Sequence, residues 1–516
     1  KADGLKKGIL LQVKQSIQLE NPDDIFTFDD NLSGPLLGTY AKCLAGLNTG
    51  DSFRFRFKFW EFPALARQWI YELNAPNETT LFSGREHILR WENGQGDLVK
   101  CPGAGIRNVG LWGSNGVCVS VIGNLSATLC LGTSWDRSAA MLLPKNKSDL
   151  LAIWAFCSSN DFSVQVRKLN QKLSVAESAF EKVPFDVSYW MTIATKNYPQ
   201  GLPKPYSDDP TQWIFYGHPA SSVNPLQVAV AKLVGYRWPP EIDSSIEISE
   251  TARCLMEKSE ALSYFSDKNG IVCIPSVRGE LKAEERLENL LAVAYGNQWS
   301  PSKRYQLLAD ADFTGKTLES WLRDKFFTEH YKLFHDRPFI WHIWDGLNDG
   351  FAALVNYHKL DYKLLETLIY TYLGDWISQQ KQDKARGVDG AEGKLASAEG
   401  LKKHLELILK GESPYDIFVR WKPIEEQPIG WNPDLNDGVR VNIRPFMSEP
   451  DVGKKGAGVL RDKPNINWGK DRGRDVESAP WFKLGLVYGG HEGDRINDHH
   501  LSLSEKRAAR EKSASK

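Results

Sequence analysis

Side chains that could do chemistry are sparse in this 516-residue chain, and the densest group of them is cationic. The stretch "GLNTGDSFRFRFKFWE" (46–61) alternates Phe53, Phe55, Phe57 and Phe59 with Arg54, Arg56 and Lys58. Successive side chains of an extended strand point to opposite faces, so this pattern predicts an aromatic face for a core and a basic ridge for water or anions. A ridge of that kind can follow a polyanion backbone; an ordinary half-buried strand with a solvated side has the same pattern. Further cations suited to such contacts are Arg85, Arg90 and Arg107 in neighbouring segments. Late in the chain, residues 440–474 carry nine Lys or Arg against four acidic residues. That glycine-rich stretch contains Lys454, Lys455, Arg461, Lys463, Lys470, Arg472 and Arg474, a composition suited to phosphate contacts or to a solvated loop.

Other chemistries find little support. Gly103, Gly105 and Gly110 form a glycine turn, but no acidic residue follows a second strand at the distance a dinucleotide site requires. No phosphate-loop lysine motif, nucleophile elbow, paired metalloprotease histidines or calcium loop occurs. Glu280 and Lys282 form a Glu-x-Lys pair of the nuclease type, a triplet common by chance. His330, His335 and His342 are expected as packed or surface histidines. "RPFIWHIWDG" (337–346) places Trp341 and Trp344 three apart, suited to a helix turn or an extended segment, and more in keeping with a core plug than with a stacking platform. No catalytic or metal-binding residue is assigned.

Composition sets the frame. A net charge of −1 requires any nucleic-acid affinity to come from local patches. Seven dispersed cysteines (43, 101, 118, 130, 157, 254, 273) make neither a CxxC pair nor a zinc spacing, which suits a reducing cytoplasm. No apolar run is long enough to cross a bilayer. The expectation is a cytoplasmic protein without membrane segments, and the opening "KADGLKKGILLQVKQ" reads as part of a longer polypeptide.

The expected architecture is α+β and multidomain. Residues 1–45 read as a connector ending in a short helix, "LLGTYAKCLAG". Residues 46–194 read as a β-rich α+β domain, with strands at "GVCVSVIG" and "SATLCLG" and helices at "DLLAIWAFCSS" and "FSVQVRKLNQKL". Residues 195–222 read as a Pro/Gly-rich connector held by its aromatics, and 223–410 as a helical domain. Residues 411–516 read as a loop-rich basic region ending in a frayed tail, "LSLSEKRAAREKSASK".

These residues also carry a resemblance. The order Gly46, Thr49, Gly50, Asp51, Arg54 or Arg56, Trp60, Glu61 resembles the opening of the target-recognition region in large adenine-specific N6 DNA methyltransferases of the type IIG kind and of BREX and DISARM phage defence. "FSGREHILRWENGQG" with Gly84, Arg90, Trp91, Glu92 and Gly94, then "LWGSNGVCVS", "SWDRSAAMLLP" and "KVPFD", follow in the family's order. "RPFIWHIWDGLNDGFAALVNYHKL", "TYLGDWI", "VRVNIRPF", "GVLRDKPNINWGKDRGRD" and "LSEKRAAR" are similar to the C-terminal extension of the defence members. The resemblance implies double-stranded DNA as partner, together with a methyltransferase catalytic domain or subunit and other defence proteins. It implies that the cations named above contact DNA while Trp60 and Trp91 pack the module. The family's catalytic half carries a glycine-rich S-adenosylmethionine turn and an Asn/Asp-Pro-Pro-Tyr/Phe tetrapeptide, neither of which occurs here; the cofactor is expected in that other part, not in this chain. A carbohydrate-binding or glycoside-active protein, or a helical docking scaffold, would also accommodate the eighteen tryptophans and the helical half.

Overall fold

The protein is described from a computed structural model. It describes residues 34–448 except 413–414, 416–418 and 420–421, together with 14, 16 and 503–515. The architecture is mixed α+β and divides into two compact units, the first of residues 1–56 and 66–206, the second of residues 57–65 and 207–516. The chain therefore leaves the first unit in the middle of the Phe-cation stretch and returns nine residues later.

The first unit is built on β-strands. Strands β1 (Ala41–Ala45), β5 (Asn115–Ser120), β6 (Ala127–Leu131) and β8 (Ala139–Pro144) form an antiparallel sheet in the order β1-β8-β5-β6. Strand β3 (Trp69–Leu73) pairs antiparallel with β4 (His87–Arg90) and parallel with β7 (Ser134–Trp135). Leu44, Leu73, Cys118, Cys130, Trp135, Ala139 and Met141 make one core, and Leu47, Phe55, Leu89 and Leu98 a second. Helices α1 (Leu150–Cys157), α2 (Asn160–Leu169) and α3 (Val187–Asn197) follow, with Ser159 capping α2 through the Phe162 N–H and Asp186 capping α3 through the Ser188 and Tyr189 N–H groups. Phe156 lies 5.1 Å from Trp190 and 5.3 Å from Phe162, so α1, α2 and α3 share one aromatic cluster. The strands read at "GVCVSVIG" and "SATLCLG" and the helices read at "DLLAIWAFCSS" and "FSVQVRKLNQKL" are present. "LLGTYAKCLAG" is corrected: it is a single helical turn, Leu37–Tyr40, running into β1, because its second half carries the strand that pairs with β8.

The second unit is mostly helical around a small sheet, β10-β11-β9, of Ile340–Trp344 (β10), Ala352–Asn356 (β11) and Ile271–Cys273 (β9). Every residue of these strands is buried, so the Trp341–Trp344 motif is a buried extended segment at one side of the sheet and a core plug. Its longer helices are α4 (Pro225–Leu233), α5 (Glu250–Glu260), α6 (Ala283–Tyr295), α7 (Pro301–Asp310), α8 (Leu318–Asp324), α9 (Phe326–Leu333), α10 (Leu373–Ala385) and α11 (Ala391–Lys410). In "TLESWLRDKFFTEHYKLF" the periodicity runs through a break at Lys325 between α8 and α9. The proline-rich segment before α4 buries Trp213, Ile214, Phe215 and Tyr216, and its irregular backbone is held by those side chains. The tail expected to fray is instead helical: α12 (Leu503–Ala514) buries Lys506, whose Nζ donates to the Pro428 carbonyl, while Arg510 donates to the Gln427 carbonyl. Ala, Glu, Lys and Arg are strong helix formers, and here they have a surface to lie on.

Candidate nucleic-acid interface

Three short segments of the first unit lie side by side at its cationic edge. Leu47 accepts a hydrogen bond from the Arg137 N–H at 2.9 Å and donates its own N–H to the Trp135 carbonyl at 2.9 Å. On its other side, Asn48 and Gly105 exchange N–H···O bonds of 3.1 and 2.8 Å, and the Asn48 Nδ2 donates to the Gly103 carbonyl at 3.2 Å. The turn at residues 46–51 is thus the middle member of a small three-segment ladder, with 135–137 on one side and 103–105 on the other.

Glycine is required at two of its positions. Gly46 faces the backbone of Trp135 and Asp136 so closely that no Cβ would fit. Gly50 has φ +70° and leaves no room beside Ala104 N, which a Cβ would meet at 2.8 Å. Thr49 is buried and its Oγ1 lies 3.0 Å from the Ser52 Oγ. The residues of the Gly-x-x-Thr-Gly-Asp pattern are therefore those that seat this turn against its two neighbours.

The basic ridge expected over 53–59 does not form. Ser52–Phe55 is a helical turn, Arg56–Lys58 a three-residue strand (β2) and Phe59–Glu61 a 3-10 turn, so the side chains do not alternate on two faces. Arg54 is a quarter exposed and pairs with Asp97. Arg56 is only 12 % exposed, bidentate to Glu72 and 2.6 Å from the Asp136 Oδ2. Burial alone would favour loss of its proton, but the two carboxylates outweigh this and hold the guanidinium charged. Burial raises the Glu72 carboxyl above its usual range against the opposing pull of Arg56. The other Asp136 oxygen accepts the Ser138 N–H at 2.7 Å, so Arg56 ties β3 to the turn that carries Arg137.

Arg85, expected as a DNA-contacting cation, is fully buried, donating to the Leu129 carbonyl at 2.8 Å with its guanidinium over the Phe82 ring. Burial lowers it to about 10. Arg90 pairs with Glu92 at 3.1 Å and is a quarter exposed. Lys58, in the second unit, is buried, 3.3 Å from the His335 Nδ1 and over the Trp60 ring. Among the described residues, Arg107 alone of the named cations is well exposed, two residues beyond the Asn48–Gly105 pairing. Lys454, Lys455, Arg461, Lys463, Lys470, Arg472 and Arg474 lie outside the described residues.

The ladder adds two exposed cations that composition did not single out, Arg137 and Lys100. Arg137 sits in "SWDRSAAM", where nothing but the pairing of Asp136 with Leu47 places it beside the Gly46–Asp51 turn. Among the described residues no carboxylate pairs with Lys100, Arg107 or Arg137, because Asp97 and Asp136 are already engaged by Arg54 and Arg56.

Trp91 packs within the first unit, as expected, but Trp60 is corrected: it packs the second unit and not the module of residues 46–194. Trp60 is buried in the second unit, its ring 5.2 Å from Phe334 and its Nε1 donating to the Arg337 carbonyl at 3.0 Å. Glu61 beside it is fully buried and accepts from the Lys58 N–H, the Val439 N–H and the Arg337 guanidinium at 2.9 to 3.0 Å. Trp91 lies edge-on to Trp112 at 4.8 Å.

The remaining candidates are structural. The glycines at 103, 105 and 110 follow a helical turn, Asp97–Lys100, and run into another turn, not from a strand into a helix, so these residues do not fit a nucleotide or S-adenosylmethionine cradle. Glu280 faces Arg286 at 3.7 Å, and Lys282 precedes α6 and lies 3.8 Å from Glu319. His330 is fully buried; its Nε2 accepts the Ile340 N–H at 3.1 Å and its Nδ1 faces the Gln227 Oε1, so burial drives it down to about 3. His342 is buried in β10. The cysteines are all free thiols, and among the described residues no group of three His, Cys, Asp or Glu is placed to hold a metal ion. Among the same residues no helix is long and apolar enough to cross a membrane. A scan of protein-family models and a search of curated proteins each return no match to this chain.

Proposed function

We propose that this chain is the DNA-recognition and C-terminal portion of an adenine-N6 DNA methyltransferase of restriction or phage defence. The observation that carries the reading is the cationic ladder. The residues on which the resemblance rests, Gly46, Thr49, Gly50 and Asp51, form the turn that draws the Arg107 and Arg137 segments together. Duplex recognition needs phosphate contacts to set register and side chains at base edges to read sequence, and loops on a rigid sheet supply both. Methyl transfer needs the target adenine flipped into a pocket beside S-adenosylmethionine. That step belongs to a catalytic domain or subunit with its own cofactor site, and the present chain delivers the DNA to it in the cytoplasm, alongside other defence proteins.

The test is duplex binding by the full chain, measured by fluorescence anisotropy from 50 to 300 mM salt. The expected result is affinity that falls steeply and linearly on a log–log plot, with a slope of about 0.9 per phosphate neutralised. Absence of duplex binding at 50 mM salt, or glycan binding indifferent to salt, would overturn the reading.

A further inference from the structure

Of the cations that the sequence names among the described residues, the fold buries or pairs all but Arg107, and it places Arg137 near it. Arg56 and Arg85 are internal, and Arg54 and Arg90 are engaged by Asp97 and Glu92. What the ladder leaves outward is Arg107 on one flank and Arg137 on the other, with Lys100 at the end of the helical turn that opens the Cys101–Gly105 segment. The Gly105 and Asp136 backbones, each paired to the Leu47–Asn48 segment, are two strand spacings apart, roughly 10 Å, and Arg107 and Arg137 lie within two residues of them. That is a span over which two long guanidinium side chains reach successive phosphates on one face of a duplex.

Resting on the reading of the chain as a DNA-recognition portion, we infer that Arg107 and Arg137 are a phosphate clamp: they grip the DNA backbone on either side of the Leu47–Asn48 segment and carry no base information themselves. Three features favour phosphate over a carboxylate-bearing protein partner or a base edge. Both cations sit on segments fixed by backbone hydrogen bonds to the central turn, so their spacing is set before any ligand arrives. Two carboxylates of the neighbouring segments are already engaged, Asp136 by Arg56 and the half-exposed Asp97 by Arg54, so Asp51 of the central turn is set against three exposed cations, Lys100, Arg107 and Arg137. The segment between them exposes little apolar surface, since Leu47 and Thr49 are buried. Arg56 is then a positioning residue, holding the Asp136–Ser138 turn from beneath.

The experiment compares the full-length wild type with the Arg107→Gln/Arg137→Gln double variant on two duplexes of unrelated sequence, with the exposed Arg253→Gln of the second unit as control. Each lost phosphate contact lowers the salt slope by about 1, so the double variant should lose about 2 from the slope on both duplexes, while the control keeps the wild-type slope. Both positions are exposed, so thermal unfolding should be unchanged. Should the double variant unfold at a lower temperature, the two single variants are read instead, each expected to lose about 1. A wild-type protein that binds with an undiminished slope in the double variant overturns the clamp and leaves the recognition reading standing. Loss confined to one duplex overturns the phosphate role in favour of base contact. A wild-type chain that does not bind duplex at all removes both.

Discussion

Replacing Arg56 by Met keeps the aliphatic stem but removes the charge, and it separates a buried tie from a surface contact. The Glu72 carboxylate is wholly buried, and Arg56 supplies its bidentate partner and a 2.6 Å bond to Asp136. Removing one member of a buried ion pair typically costs about 3 to 5 kcal/mol, because the other charge stays desolvated and uncompensated. In a unit of this size each kcal/mol moves the unfolding midpoint by roughly 2 to 4 °C, so the expected drop is on the order of 10 °C. Because burial already raises Glu72 and Arg56 is the influence that opposes it, the variant should take up a proton there, and its deficit should shrink as pH is lowered from 7.5 toward 5.5. A second substitution, Glu72→Leu, should recover part of the loss, since an apolar pair removes the stranded charge. As the protein has two units, the readout is hydrogen exchange in peptides covering β3 and β7, alongside global melting. A surface arginine would change stability by no more than about 0.5 kcal/mol. An Arg56→Met protein as stable as wild type, with no change in exchange at β3, would refute the buried-tie account.

Two further outcomes are expected. Trp60 is fully buried against Phe334, so Trp60→Ala should cost the second unit about 3 to 5 kcal/mol, and a fragment 207–516 lacking residues 57–65 should unfold more easily in urea than the same fragment joined to that peptide; equal urea midpoints would contradict the assignment of 57–65 to this core. His330 is held neutral, near 3 against an unfolded value of about 6.5, so the unfolded chain binds a proton that the folded chain refuses. Its contribution is fully present above about pH 6.5 and is lost as pH falls toward 3, by up to about 1.4 kcal/mol per pH unit; hydrogen exchange around β10 that is equally protected at pH 7 and pH 5.5, after correction for intrinsic rates, would count against it.

The elements that local pattern foretold are those whose burial is decided within a few residues. Asn115–Ser120 and Ala127–Leu131 are runs of small, β-branched and apolar residues bounded by turns, and Leu150–Cys157 is an apolar helix followed by one that Ser159 caps. The Phe-cation stretch misled because a period-two pattern describes side-chain order, not backbone; the chain changes conformation twice within it and crosses between two units. The tail helix was missed because its sequence is polar all round, and its docking through Lys506 and Arg510 is made with residues about eighty positions away.

By itself the amino-acid order determined a mixed α+β chain and the strands and helices whose burial pattern is local. Only the tertiary structure decided which cations face outward. A guanidinium's place depends on whether a carboxylate or carbonyl waits for it in space: Glu72 and Asp136 draw Arg56 inward and the Leu129 carbonyl holds Arg85, while Arg107 and Arg137 are left to solvent. Charge can be read along a chain, but its burial is set by partners that only folding brings near.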